Sequence, residues 1–249
     1  MKKRLGIIQS RGLGDIIIAL PIARHYYEQD WDVFWPITES WVEQMTAAAP
    51  WVKWIPVTPD PGAFFYDIPM QRLKNFKCDE VIPLYQALTG HKFHDEVYFQ
   101  HTKFDQYKYI RADVPFYKKW TLNQCITRDP VREQTMYDQK VTNPLYVVTH
   151  LDASSGRIEW DSSMVPEGWD VVDITPEGYI FDWLKIIEGA QSIVMTDSCM
   201  ANLVDQLGLG DDRYFIPIHH IGLTPVQGQL WTWLPNTKLS PSARTIGMS

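Results

Sequence analysis

Short, largely apolar runs alternate along this chain with longer stretches in which apolar residues recur every three or four positions. Arg4–Gln9 (RLGIIQ) reads as a buried strand, and Ile16–Tyr27 (IIIALPIARHYY) has helical spacing after a glycine turn. A strand over Asp32–Ile37, a helix over Glu39–Ala49 with Thr38 as its N-cap, and a strand over Val52–Val57 continue the alternation. A helical stretch near Ala63–Phe76 and a strand over Glu80–Leu84 follow. This βαβα order implies an α/β protein whose parallel sheet carries helices on both faces.

From about Tyr85 to Lys140 the periodicity lapses until Arg132, so this region reads as irregular loops and short helices bridging two halves. A second alternation then begins. Strands are expected over Leu145–His150, Trp169–Ile174, Ser192–Thr196 and Tyr214–Ile218, with helices over Ile180–Gly189 and Ser198–Leu207. The pattern divides the chain into domains 1–140 and 141–249, with the tail from Thr224 expected to fold back across the first. No internal repeat or low-complexity tract is visible.

A 249-residue chain that is 45% hydrophobic and 21% charged has the composition of a folded protein. No apolar run reaches membrane-spanning length, and Met1-Lys2-Lys3-Arg4 leads into a strand, not a signal-peptide core, so a cytoplasmic location is expected. Cys78, Cys125 and Cys199 are odd in number and widely spaced, which fits reduced thiols and indicates neither a disulfide framework nor a zinc knuckle. The net charge of −7 is uneven: residues 67–140 hold 12 Lys/Arg against 10 Asp/Glu, and residues 141–249 hold 5 against 13. An extended nucleic-acid footprint is therefore not visible, but Lys103, Lys108, Arg111, Lys118, Lys119, Arg128 and Arg132 could form a local phosphate-binding face.

Three loops carry candidate chemistry. In Ser10-Arg11-Gly12-Leu13-Gly14-Asp15, at the carboxyl end of the first strand, Gly12 and Gly14 would let the backbone approach a ligand, and the following helix offers N–H groups to an anion. A dinucleotide fingerprint needs a third glycine at position 17, where Ile17 stands, which disfavours a Rossmann dehydrogenase. Asp15 could take a proton from a hydroxyl or could simply complement the helix dipole. In the second loop, Asp197 and Ser198 precede Cys199 and Asn202 at another strand-to-helix turn, suited to holding a diphosphate or to plain capping. The third, Thr149-His150-Leu151-Asp152-Ala153-Ser154-Ser155-Gly156-Arg157, offers hydroxyls at Ser154 and Ser155, an imidazole at His150, and in Arg157 either a bidentate phosphate ligand or a surface salt-bridge residue. His91, His94 and His101 with Asp95 and Glu96 are too loosely spaced for a metal centre and read as a solvated polar stretch. His219-His220 ends a strand and could touch a ligand or serve packing.

Two of these segments together resemble the heptosyltransferase-like glycosyltransferases of the GT-B fold. GIIQSRGLGDIIIALPIARHYYEQ is similar to that family's opening strand, glycine-aspartate loop and proline-containing helix. FDWLKIIEGAQSIVMTDSCMANLVDQLGL resembles its helix, turn, strand, "DSG" loop and helix. The likeness implies two Rossmann-like domains facing a cleft, the first mainly binding acceptor and the second mainly a nucleotide-diphosphate sugar, with no metal or other cofactor. Asp15 falls at the place of the catalytic base, Arg11 on the acceptor side, and Gly12, Gly14, His150, Ser154, Ser155, Arg157, Asp197, Ser198, Cys199 and Asn202 on the donor-phosphate side. Cys199 stands where the family has glycine and Asn202 where it has histidine. The resemblance implies a metal-independent, inverting transfer to an acceptor hydroxyl, expected on a glycan; a hydroxymethylated DNA base, on which small viral-type glycosyltransferases of similar outline act, is a second option that the local basic face would serve. The alternative is a non-catalytic nucleotide- or carbohydrate-binding protein of the same fold, against which an Asp and not an amide at position 15 argues.

Overall fold

Strands buried on both faces need cover on both sides, and two separate sheets answer that need. The computed structural model describes residues 2–58, 65–85, 102–153, 156–218, 224–228 and 230–236. The chain divides into two compact units, residues 1–127 and 128–249.

In the first unit β1 (Lys3–Ile8), α1 (Leu13–Glu28), β2 (Trp31–Thr38), α2 (Glu39–Ala48), β3 (Lys53–Val57), α3 (Asp67–Lys74) and β4 (Glu80–Pro83) alternate as the sequence predicts. The sheet runs β3-β2-β1-β4, all parallel, with Leu5 of β1 beside Val33 of β2 and Glu80 of β4. Central β1 buries Leu5, Gly6, Ile7 and Ile8, as a strand covered on both faces must. α1 is buried from Ile16 to Ala23, so its core-facing stripe widens into a full circumference. Pro21 lies inside it and offers no N–H to the carbonyl one turn back. Next to that gap, the buried Tyr109 hydroxyl donates to the Ile18 carbonyl at 2.9 Å.

Thr38 precedes α2 without capping it through its side chain. Its hydroxyl donates instead to the Ser10 carbonyl at 3.1 Å, tying the end of β2 to the loop after β1. In the region expected to hold irregular loops and short helices, α4 (Phe104–Arg111), a 3-10 segment (Phe116–Gln124) and α5 (Pro130–Lys140) form. α4 buries Asp105 and Lys108 beside Tyr107 and Tyr109, and these polar side chains on its inner face interrupt the apolar stripe that sequence periodicity depends on.

The second unit holds β5 (Tyr146–His150), a two-residue hairpin of β6 (Asp152–Ala153) and β7 (Gly156–Arg157), β8 (Asp170–Asp173), α6 (Leu184–Gly189), β9 (Ser192–Thr196), α7 (Cys199–Leu207), β10 (Arg213–Ile216) and β11 (Trp231–Trp233). Its main sheet runs β11-β10-β9-β5-β8, again all parallel. The units meet at Thr127/Arg128, not at the expected 140/141, because α5 belongs with the second unit. Arg128 pairs with both Glu133 and Glu188, and Arg132 Nε donates to Asp182 at 3.0 Å. These inward contacts are ionic, so hydropathy does not reveal them.

The tail also departs from expectation over its described residues. β11 extends the second sheet beside β10, with Trp233 opposite Phe215. Buried Asp205 Oδ1 accepts from Gly228 N at 2.6 Å and Trp231 Nε1 at 2.9 Å. A three-residue strand at the edge of a sheet is too short for the alternation of residues to announce it.

Candidate functional site

In open parallel sheets ligands gather beyond the carboxyl ends of the strands, where the winding reverses. In the first unit the chain winds from β1 to β3 and then returns to place β4 on the other side of β1. The reversal lies between β1 and β4, and Gln9–Asp15 and Leu84–Tyr85 leave from it. Tyr85 Oη accepts 2.8 Å hydrogen bonds from the backbone N–H groups of Ser10 and Arg11, and Gln9 Nε2 donates to the Arg11 carbonyl at 2.8 Å. Burial raises the Tyr85 pKa well above its ordinary value, so the phenol stays neutral. Arg11 lies over the Phe65 ring at 5.4 Å.

Gly12 adopts φ +79°, where a side chain is strained, and a Cβ there would stand 2.3 Å from Asp15 Oδ2. The glycine is thus required both by its backbone and by the carboxylate folded against it. Asp15 sits in the first turn of α1, its side chain 33% exposed. Its Oδ1 is 3.0 Å from Nζ of Lys108, whose side chain is 3% exposed. Lys108 also donates to Gln9 Oε1 at 2.8 Å and to the Leu84 carbonyl at 3.1 Å. Nothing local in the sequence links Lys108 to Asp15, and only the packing of α4 against α1 brings them together.

In the second unit the reversal lies between β5 and β9, since β8 flanks β5 on the far side. His150 ends β5 opposite Met195 of β9, and Asp197 and Ser198 follow β9 directly. Ser198 caps α7: its Oγ accepts from Ala201 N at 3.2 Å, and Asn202 Nδ2 donates to its carbonyl at 3.0 Å. Asp197 Oδ2 accepts from Ile218 N at 2.9 Å and from Thr224 Oγ1 at 3.3 Å, which anchors the chain beyond β10. Burial pushes the Cys199 thiol up to about 11, against the opposing pull of nearby backbone N–H groups, so it stays protonated at neutral pH.

Arg157 donates to Asp152 Oδ2 at 2.6 Å and to Asp173 Oδ2 at 2.7 Å, while Thr149 Oγ1 donates to Asp173 Oδ1 at 2.7 Å. Of the two roles open to Arg157, the structure displays the salt bridge. Burial lowers the His150 pKa against the opposing pull of Asp152 and Asp173, and its Nδ1 has no partner among the described residues. Ser154 and Ser155 lie outside the described residues, as do His91, His94, Asp95, Glu96, His101, His219 and His220. Among the described residues no cluster of three or more His, Cys, Asp or Glu side chains is placed to hold a metal ion, and no helix is long and apolar enough to cross a membrane.

Of the seven cations of the candidate basic face, four are engaged in ion pairs. Lys108 is buried against Asp15, Lys119 is fully buried against Asp105 at 2.9 Å, and the part-exposed Arg128 and Arg132 pair with Glu133, Glu188 and Asp182.

No protein-family model matches the sequence, and no curated protein matches it. Solved structures do share its fold. The glycosyl transferase family 9 protein from Veillonella parvula DSM 2008 superposes with a TM-score of 0.61 at 11% identity, over 98% of this chain and 90% of its own. The iron-containing dodecameric glycosyltransferase TibC from enterotoxigenic E. coli H10407 gives 0.58 at 10% identity over 93% of this chain, which spans 62% of TibC. ADP-heptose LPS heptosyltransferase II of E. coli gives 0.50 at 10% identity, over 93% of this chain and 90% of its own. The α/β fold implied by the resemblance to GT-B heptosyltransferase-like proteins is the fold this chain has.

Proposed function

We propose that this chain moves a sugar from a nucleotide-diphosphate sugar to an acceptor hydroxyl, without a metal and with inversion, and that Asp15 is the general base. One observation carries the reading: the Asp15 carboxylate stands at the strand reversal with Oδ1 anchored on Lys108 and with no partner for Oδ2 among the described residues. A base must be held in place by one atom and open at another. The shared fold supports the reaction class, since the structures that superpose carry glycosyl transfer in their names, and one of them names ADP-heptose.

In this reaction Asp15 takes the proton of an acceptor hydroxyl. The oxygen attacks the anomeric carbon, and the bond to the phosphate oxygen breaks with its electron pair leaving on the nucleoside diphosphate. The start of α7 and Arg157 are the groups suited to that developing charge. A bound diphosphate would compete with Asp152 and Asp173 for the Arg157 guanidinium. Because four of the seven cations of the candidate basic face are engaged in ion pairs, we favour a glycan acceptor. Three free cysteines fit work in the reducing cytoplasm.

The test is turnover of a panel of nucleotide sugars, with and without glycan acceptors, by the wild type and by Asp15→Asn. The expected result is slow donor hydrolysis or transfer by the wild type and a loss of at least about 100-fold in kcat for the variant, with donor affinity unchanged. Affinity without turnover in the wild type would identify a binding protein instead. Near-normal turnover by Asp15→Asn would remove Asp15 as the base.

A further inference from the structure

The geometry points to Lys108 as the positioning residue for Asp15, acting on the proposed reaction through that carboxylate and not by touching substrate. The inference rests on the reading of Asp15 as base. An ammonium is strongly hydrated in water, and burying one is costly unless it is hydrogen-bonded and paired with a charge. At Lys108 three different elements meet that need, two through hydrogen bonds and the third through an ion pair. Gln9 Oε1, just beyond β1, lies at 2.8 Å; the Leu84 carbonyl, just beyond β4, at 3.1 Å; and Asp15 Oδ1, in the first turn of α1, at 3.0 Å.

Lys108 therefore pins together the three pieces of chain that leave the strand reversal. The Phe104 ring, one helical turn back on α4, lies 5.4 Å from Nζ and helps keep the stem in the interior. With two hydrogen bonds made, its charge paired with Asp15 and its side chain 3% exposed, Lys108 is closed off from a phosphate or a hydroxyl in solution, which argues against a direct part in binding.

Its effect on Asp15 is orientational. A carboxylate on a short stem at the start of a helix can rotate about χ1 and χ2, and each rotation moves its oxygens by more than an ångström. Anchoring Oδ1 on Nζ selects one rotamer and leaves Oδ2 against Gly12, where the absence of a Cβ makes room for it. Displacements of about 1 Å at a reacting centre cost on the order of 100-fold in rate.

A double-mutant cycle in the full chain tests this, with Lys108→Met, Asp15→Asn and the pair compared by kcat, donor KM and melting temperature. We expect Lys108→Met to lower kcat by about 10- to 100-fold with donor KM within twofold. The paired variant should be no slower than Asp15→Asn alone, because a positioning residue has nothing left to position. Multiplicative losses, or a kcat for Lys108→Met equal to wild type, would overturn the inference. A wild type without turnover on any donor would instead overturn the reading on which it rests.

If Lys108→Met does not fold, the contact is read from the other side in Asp15→Asn. The ¹⁵N signal of the Lys108 ammonium, protected from exchange in the wild type, should move and exchange faster in that variant. An unchanged signal would show that the two groups do not meet and would end the proposal.

Discussion

At Gly12 a backbone angle and a carboxylate make the same demand. Gly12→Ala would force a side chain into φ +79° and into Asp15 Oδ2 at once. Such strain costs about 1–3 kcal/mol, so chemical denaturation should show the first unit weakened by that amount, with turnover falling because Asp15 must move. His150 offers a test by pH. Desolvation holds its folded pKa below the ordinary 6.5, so below about pH 6.5 the unfolded chain takes up a proton that the folded chain refuses. Stability should be flat above that pH and should fall as pH drops toward the folded pKa, while His150→Gln should lose less between pH 7.5 and 5.5 in urea titrations. At this scale the sequence reveals the loops and not their wiring. Gly12 and Asp15 are legible because glycine turns and helix starts are local. Gln9, Leu84 and Lys108 are not, because 93 residues separate Lys108 from the aspartate it holds.

The elements themselves are largely legible, since β1 and β5 each hold a short apolar core and α1 opens with a glycine turn. What escapes is the placing of helices that bury charge, as α4 and α5 do, and a strand as short as β11. Ser198 caps α7 as expected, its Oγ accepting from the Ala201 N–H in the first turn. The crossover from β5 to β8 is unusual, because among its described residues it contains only the small hairpin and a 3-10 turn at Ser162–Met164. There Trp160, Val165 and Trp169 cover that sheet face over Val147 and Val194, around a cavity of about 230 Å³.

For the whole molecule, the division at Thr127/Arg128 predicts where the chain can be cut. A fragment of residues 128–249 should unfold cooperatively. One beginning at residue 141 loses the Arg132 partner of nearly buried Asp182 and both Arg128 contacts, and should melt with about 1–3 kcal/mol less stability by circular dichroism. Lys108 has a different reach, into how such a protein could change over generations. Its ammonium is one of the costliest groups in the interior, and Asp15 is its only charged partner among the described residues. A lineage that ceased to transfer sugar would still be penalised for losing the aspartate, by instability and not by lost chemistry, until position 108 had changed as well. The two positions are thus expected to drift together or not at all, and an aspartate at 15 records the lysine beneath it as much as the reaction above it.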